Sequence, residues 1–430
     1  MSLPFILSLL LICLLVALGE AIGPTMIAGG IFYLIITGRD IGLAAEIILN
    51  GLFNSFVLLA VPLFIFAANV MNAGTISNRL LDFSLALVGR FRGGLAHMNI
   101  MASLVFSGMS GSAIADAAGV GKVVINMMRR NERYPAGFAA AITGASATIG
   151  PIIPPSIPMV LYALVSDQSV GALFLGGVGP GLLMTMALMA SVVLISSRRG
   201  FPTEPPVPWK AYPAYLLRGL PPLFMPAILL GGIYGGAFTP TEAAAVAGLY
   251  ALVLALLFYR SMGLRSLFQV IVDTVRSSSV IALIISGAFL INYIVVIEQI
   301  PQSLAAWLQD VQTTPTVFLM MVSMVFLLFG CFLDATTMLL VLVPIVIPAL
   351  RSLEINLVHF GVVVVVNMMI GLVTPPYGVL LFVLNSLTGI PIREIIREMW
   401  IFIVILLISL LLMILFPSIV LWLPTRLGYV

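Results

Sequence analysis

Polar groups able to do chemistry are sparse in this sequence, and the most suggestive ones interrupt apolar runs. Two interruptions are Ser107-Gly108-Met109-Ser110-Gly111-Ser112 and Gly330-Cys331-Phe332-Leu333-Asp334-Ala335-Thr336-Thr337. Two more set a Pro-Pro pair one helical turn beyond a glycine: Gly150-Pro151-Ile152-Ile153-Pro154-Pro155-Ser156 and Gly371-Leu372-Val373-Thr374-Pro375-Pro376-Tyr377. Adjacent prolines remove backbone donors and clash with the preceding turn, so a helix must break there. At membrane depth the freed carbonyls and amides need partners, and ions or anionic groups can supply them. The chemistry on offer is binding.

Covalent chemistry lacks its usual constellations. An intramembrane enzyme needs a polar cluster, such as paired acids, a His-rich motif or a Ser/His or Ser/Lys pair, and the acids here are scattered. His97 and His359 have no acidic or cysteine neighbours at ligand spacing, so no transition-metal site is expected. Gly119-Val120-Gly121-Lys122 lacks the phosphate-loop pattern, and no nucleotide site is evident elsewhere. Cys13 and Cys331 lie in apolar runs and read as small hydrophobes.

Asp334 is the acid of greatest interest, because an ionisable group at membrane depth costs about 2.5–3.5 kcal/mol and needs a purpose or a partner. It can cap a helix or help hold an ion or cargo. Asp116 and Lys122 are not at the three- or four-residue spacing of a helix face, so pairing between them is not expected and a structural role is. Glu242, in Thr239-Pro240-Thr241-Glu242, reads as the first turn of a helix.

The elements that must position these groups follow from composition. Of 430 residues, 61% are hydrophobic and only 8% charged, with a mean hydropathy of +1.21. A soluble domain carries about 25% charged residues, so lipid must be the solvent for most of this chain. A crossing needs roughly 20 apolar residues, which allows something over ten spans. The net charge of +3 is too small to suggest nucleic acid. The N-terminus has no basic region before its apolar run and reads as a retained helix.

Apolar stretches fall at 3–19, 22–37, 52–71, 136–165, 171–196, 220–237, 241–259, 279–297, 357–389 and 399–423. Residues 94–128 and 315–350 are apolar but broken in the middle, with each half too short for a full crossing, and read as re-entrant helical hairpins. Given those hairpins, most arginines and Lys210 fall on one side, and only Arg39, Arg351 and Arg426 on the other. That bias puts the first hairpin's open end in the cytoplasm, the second's outside, and both termini outside. Each hairpin is followed at a similar distance by a Gly…Pro-Pro break, in opposite orientation. The expected fold is an all-α polytopic membrane protein built as an inverted repeat, with two re-entrant hairpins and two discontinuous helices (136–165 and 357–389).

At these residues the chain resembles the large membrane subunit of the tripartite ATP-independent periplasmic (TRAP) transporters. The likeness rests on Ser110-Gly111-Ser112-Ala113-Ile114-Ala115-Asp116-Ala117, Ile149 to Ser156, Glu298-Gln299-Ile300-Pro301 and Leu372 to Pro376. It runs through the whole chain in order. The resemblance implies an elevator-type carrier in the bacterial inner membrane, working with a small four-helix membrane subunit and a periplasmic substrate-binding protein. Sodium is the implied coupling ion and a carboxylate or related organic acid the implied cargo. No small-subunit region is expected to be fused, since the chain opens directly on the large subunit's first spans.

Carried onto this sequence, one sodium site would involve Ser110, Gly111, Ser112, Gly144 and Gly150. The other would involve Gly330, Asp334, Gly371, Thr374 and Tyr377. Cargo would meet Ser110, Ser112, Pro154, Ser156, Asp334, Thr336 and Pro375. Tyr377 stands where members often have a small aliphatic residue. Ile297 stands where sialate-carrying branches have an arginine, which argues against an acid needing that clamp. The implied organisation is scaffold helices and an amphipathic arm in 1–93, a first transport half in 94–198 and a cytoplasmic connector in 199–219. Further scaffold helices follow in 220–297, and a second transport half in 298–430. A stand-alone carrier without a binding protein is the nearest alternative; a passive channel and an intramembrane enzyme are remote ones.

Overall fold

The computed structural model describes residues 2–73, 76–205, 207–310 and 313–429, and these are helical without strands. The first half runs α1 (Leu3–Ala17), α2 (Ile22–Ile36), α3 (Gly42–Phe53), α4 (Ala60–Ala73) and α5 (Ile76–Val88). A hairpin follows, with α6 (Gly94–Ser110) as its first arm. Its second arm is α7 (Ala113–Asp116), a π-helical bulge (Ala117–Gly121) and α8 (Lys122–Arg129). The broken helix is α9 (Ala136–Ala147) and α10 (Ile157–Ser166), and α11 (Val170–Arg199) closes the half.

The second half repeats the plan. α12 (Tyr212–Tyr234), α13 (Pro240–Leu252), α14 (Leu264–Ile297) and α15 (Ile300–Asp310) precede a hairpin of α16 (Pro315–Gly330) and α17 (Ala335–Ser352). The second broken helix is α18 (Leu357–Gly371) and α19 (Val379–Thr388), and α20 (Ile392–Leu415) and α21 (Ser418–Arg426) end the chain.

Local sequence explains the boundaries. Ser169 caps α11 by accepting from the Ala172 amide, and Gly200, left-handed at φ +67°, ends it after Arg198 and Arg199. Thr239 and Glu242 form a reciprocal capping box at the start of α13, as the sequence pattern predicts.

The helices sort into two packed groups. In one, α14 lies against α2, α3 and α4, and α13 against α4. In the other, α9 packs on α6, α8 and α20, α16 on α18, and α11 on α18, α20 and α21. Glycines permit close approach in both. A Cβ on Gly23 would lie 2.9 Å from the Ile284 amide, and one on Gly137 2.6 Å from the Glu394 carbonyl. Leu10, Leu14, Leu194, Leu257 and Ile408 point outward, as lipid-facing side chains should.

Among the described residues six helical stretches are long and apolar enough to cross a membrane, and shorter apolar helices make up the rest. Several boundaries differ from the sequence reading. The 52–71 span divides: α3 ends at Phe53 and a new helical stretch runs Phe56–Ala73. α12 begins at Tyr212 and α14 at Leu264, well ahead of 220 and 279, because polar residues such as Arg265 and Asp273 lower hydropathy without breaking a helix. The second arm of the second hairpin, α17, has 18 residues and is itself long enough to qualify as a span, so its arms are unequal. Residues 399–423 form parts of two helices, α20 and α21.

Candidate functional site

The first hairpin turns at Ser110-Gly111-Ser112. Gly111 is left-handed at φ +58°, and a Cβ there would lie 2.5 Å from the Pro155 carbonyl, so only glycine lets the tip seat on the broken helix. Ser112 caps α7 by accepting from the Ala115 amide. Across the seam, Ser156 caps α10 through the Met159 amide at 3.2 Å and donates its hydroxyl proton to the Pro151 carbonyl. The Ser110 hydroxyl donates to Asp116 Oδ1. Asp116 Oδ2 is buried without a hydrogen-bond partner among the described residues, and any side chain on Gly150 would run into it.

The second tip is built alike. Asp334 caps α17, accepting from the Thr337 amide at 3.1 Å and the Thr337 hydroxyl at 2.6 Å. Backbone meets backbone at its base, since a Cβ on Gly371 would lie 2.8 Å from Gly330 Cα. The Gly378 amide donates to the Cys331 carbonyl at 3.1 Å, and the Thr374 hydroxyl to Ile370 at 2.7 Å. The Pro154-Pro155 and Pro375-Pro376 bonds are both cis.

The two tips and two broken helices line one cavity of about 240 Å³. Its walls include Gly111, Ser112, Ile157, Asp334, Thr336 and Leu372, with Ile281 contributed by α14. Three helix starts converge there, at Ser112-Ala113, Ile157-Pro158 and Asp334-Ala335, and among the described residues no lysine or arginine lines the space. Helix N-termini present unpaired amides and a positive dipole end, which favour an anion, while the Asp334 carboxylate in the wall adds an acceptor suited to a cation beside it.

Of the residues singled out by sequence, Gly111, Ser112, Asp334 and Thr336 line the cavity. Ser110, Gly150, Pro154 and Ser156 in the first half, and Gly330, Gly371, Thr374 and Pro375 in the second, are not among its lining residues. Gly144 faces the Leu384 and Met399 side chains, and Tyr377 is 53% exposed, its ring tilted against that of Phe382 with centroids 4.9 Å apart. Asp116, expected to be structural, sits with Ser110 and Gly150 at the first seam. The signal for this in the sequence is its position just past the Ser110-Gly111-Ser112 tip. Ile157, Pro158 and Ile281 carried no sequence signal.

Glu298 lies outside the cavity, at the end of α14. It accepts the Ser2 amide at 2.8 Å, the Ser2 hydroxyl and the Tyr33 hydroxyl at 2.7 Å, tying the N-terminus to the second half. Burial works against its charge, yet these donors hold its carboxyl below the usual range.

Residues 9–419 match the family described as tripartite ATP-independent periplasmic transporter, DctM component. The sialic acid TRAP transporter large permease protein SiaM of Vibrio cholerae is 41% identical over 413 residues, covering 96% of each chain. The C4-dicarboxylate large permease protein DctM of Pseudomonas aeruginosa is 40% identical over 373 residues, covering 87% of each. In fold, the chain is similar to the Alcanivorax borkumensis YdaH transporter, with a TM-score of 0.64 at 16% identity over 86% of this chain and 87% of that one.

Proposed function

The chain belongs to the family of the DctM component of TRAP transporters, large permeases for secondary transport of small organic acids, and from this premise we propose that it is a sodium-coupled importer. Its cargo is a small organic anion handed over by a periplasmic binding protein, with a small membrane subunit bracing the scaffold. The observation that carries this reading is the convergence of three helix starts on one cavity that, among the described residues, has no basic side chain in its wall. An anion bound there meets amides and dipole ends, a hold that does not demand one particular acid.

The residues present suit sodium as the coupling ion. Asp116 Oδ2 is a buried oxygen with an unanswered hydrogen-bonding capacity beside Ser110 and Gly150, and a hard cation takes oxygen ligands. In the second half Asp334 and the backbone around Gly330 and Gly371 form the matching candidate site. Each positive charge moving inward gains about 2.3 kcal/mol per 100 mV. An anion is therefore concentrated by the potential only when more than one sodium accompanies it for each negative charge.

The α2–α4, α13 and α14 group would serve as scaffold, and the hairpins with the broken helices, α11 and α20 as the moving body. Both termini are assigned to the periplasmic side of the inner membrane on the arginine distribution. Ile297 lies at the external end of α14 and does not line the cavity, so cargo choice is assigned to the cavity walls and the binding protein.

Uptake into proteoliposomes tests the reading. With small subunit, binding protein and an inward sodium gradient, uptake should be saturable and electrogenic. Omitting the binding protein or the gradient should abolish it. Full activity of this chain alone would favour the stand-alone carrier, and sodium-independent, electroneutral uptake would overturn the proposal.

A further inference from the structure

α17 carries Pro344 in its interior. Proline has no N–H, so the carbonyl one turn earlier, that of Leu340, loses its normal helical donor. Leu340 is buried, and lipid offers no replacement. The donor comes from another helix: Asn292 Nδ2, on α14, reaches the Leu340 carbonyl at 3.0 Å. Asn292 belongs to the group of helices read as fixed, and Leu340 to a hairpin arm read as moving.

The first half places an asparagine in the corresponding position. Asn72, on α4, has its side-chain oxygen against Gly119, where a Cβ would lie 2.8 Å away, and Gly119 sits in the π-bulge of the first hairpin's second arm. A π-bulge also displaces helical hydrogen bonds. In both halves a scaffold amide therefore faces the hairpin arm where its helical ladder is irregular. The Oδ1 atoms of Asn72 and Asn292 are buried without partners among the described residues, so neither amide is locked in a complete local network.

We infer that Asn292 is a latch of the transport cycle: it holds the hairpin against the scaffold in this state through the carbonyl that Pro344 frees, and must release it for the hairpin to slide. Asn292 is a positioning residue, remote from cargo, and its effect is on the balance of states. The inference rests on the elevator reading.

The test uses the complete transporter in liposomes, in a Cys13→Ser, Cys331→Ser background, with dyes on Glu46→Cys (α3) and Arg426→Cys (α21), both exposed positions. Single-molecule energy transfer then reports the ratio of two scaffold-to-hairpin-body distances. Asn292→Leu should shift that ratio about three- to tenfold away from the present state. Pro344→Ala gives the Leu340 carbonyl a donor within its own helix, so that it no longer depends on Asn292, and should shift the ratio in the same direction. In the double variant Asn292→Leu should add less than about a twofold change, because the carbonyl no longer depends on it. Independent, additive shifts, or no shift in either single variant, would overturn the latch while leaving the elevator intact. A single unchanging distance in the parent protein, with or without sodium, would overturn both.

Discussion

The Ser110 hydroxyl is committed to one oxygen of Asp116, and the other oxygen stays buried and unanswered beside Gly150. A cation completing that shell would draw on the carboxylate as a charge-assisted ligand, worth about 1.5–3 kcal/mol. Asp116→Asn should therefore raise the sodium concentration for half-maximal uptake at least about tenfold, since 1.4 kcal/mol is a factor of ten. Sodium titration of uptake checks it; an unchanged half-maximum would leave Asp116 a purely structural residue. Hydroxyls and acids at a hairpin tip were legible because they interrupt apolar runs. The setting of Asp116 was not, because its neighbours are a hydroxyl across the hairpin tip and a glycine in the break between α9 and α10, a juxtaposition made by tertiary packing. Tyr377, placed at the second seam by family resemblance, turns its ring toward Phe382, a contact that only the tertiary structure reveals.

Each hairpin tip is held to its broken helix by glycine, but the two glycines of the second seam are not equivalent. A Cβ on Gly371 would press on Gly330 backbone atoms at 2.8 Å, which cannot swing aside. A Cβ on Gly330 would meet Gly371 Cα at 3.4 Å and the flexible Met338 side chain at 3.7 Å. Gly371→Ala should thus cost on the order of 1–3 kcal/mol in overpacking and sharply reduce uptake, while Gly330→Ala keeps most of it. Uptake rates and thermal unfolding of the two purified variants measure this, and equal effects would contradict the seam described here. The hairpins and the two Pro-Pro breaks could be read from sequence because each is a local chemical event. Helix lengths could not. α3, at 12 residues, is too short to count as a crossing, and Arg265, Asp273 and Arg276 hide the first turns of α14 without breaking its backbone ladder. Hydropathy reports where lipid is, whereas helices continue beyond it.

Across the whole molecule, an inverted repeat brings two tips and two broken helices together around one cavity between two packed groups of helices. The repeat was visible in order and spacing along the chain, but the sharing of one cavity required the tertiary structure, because α10 packs against α17 of the other half. Among the described residues, α14 reaches the cavity through Ile281. A cavity carried by one group and walled in part by the other should open to one side of the membrane at a time. Alternating exposure of Ala335, which lines the cavity, tests this most directly. In a Cys13→Ser, Cys331→Ser background with a single Ala335→Cys, the complete transporter in liposomes is treated with a membrane-impermeant thiol reagent from either side. Sodium and cargo should change the two labelling rates in opposite directions. Simultaneous fast labelling from both sides, or rates indifferent to sodium and cargo, would contradict a moving shared pocket.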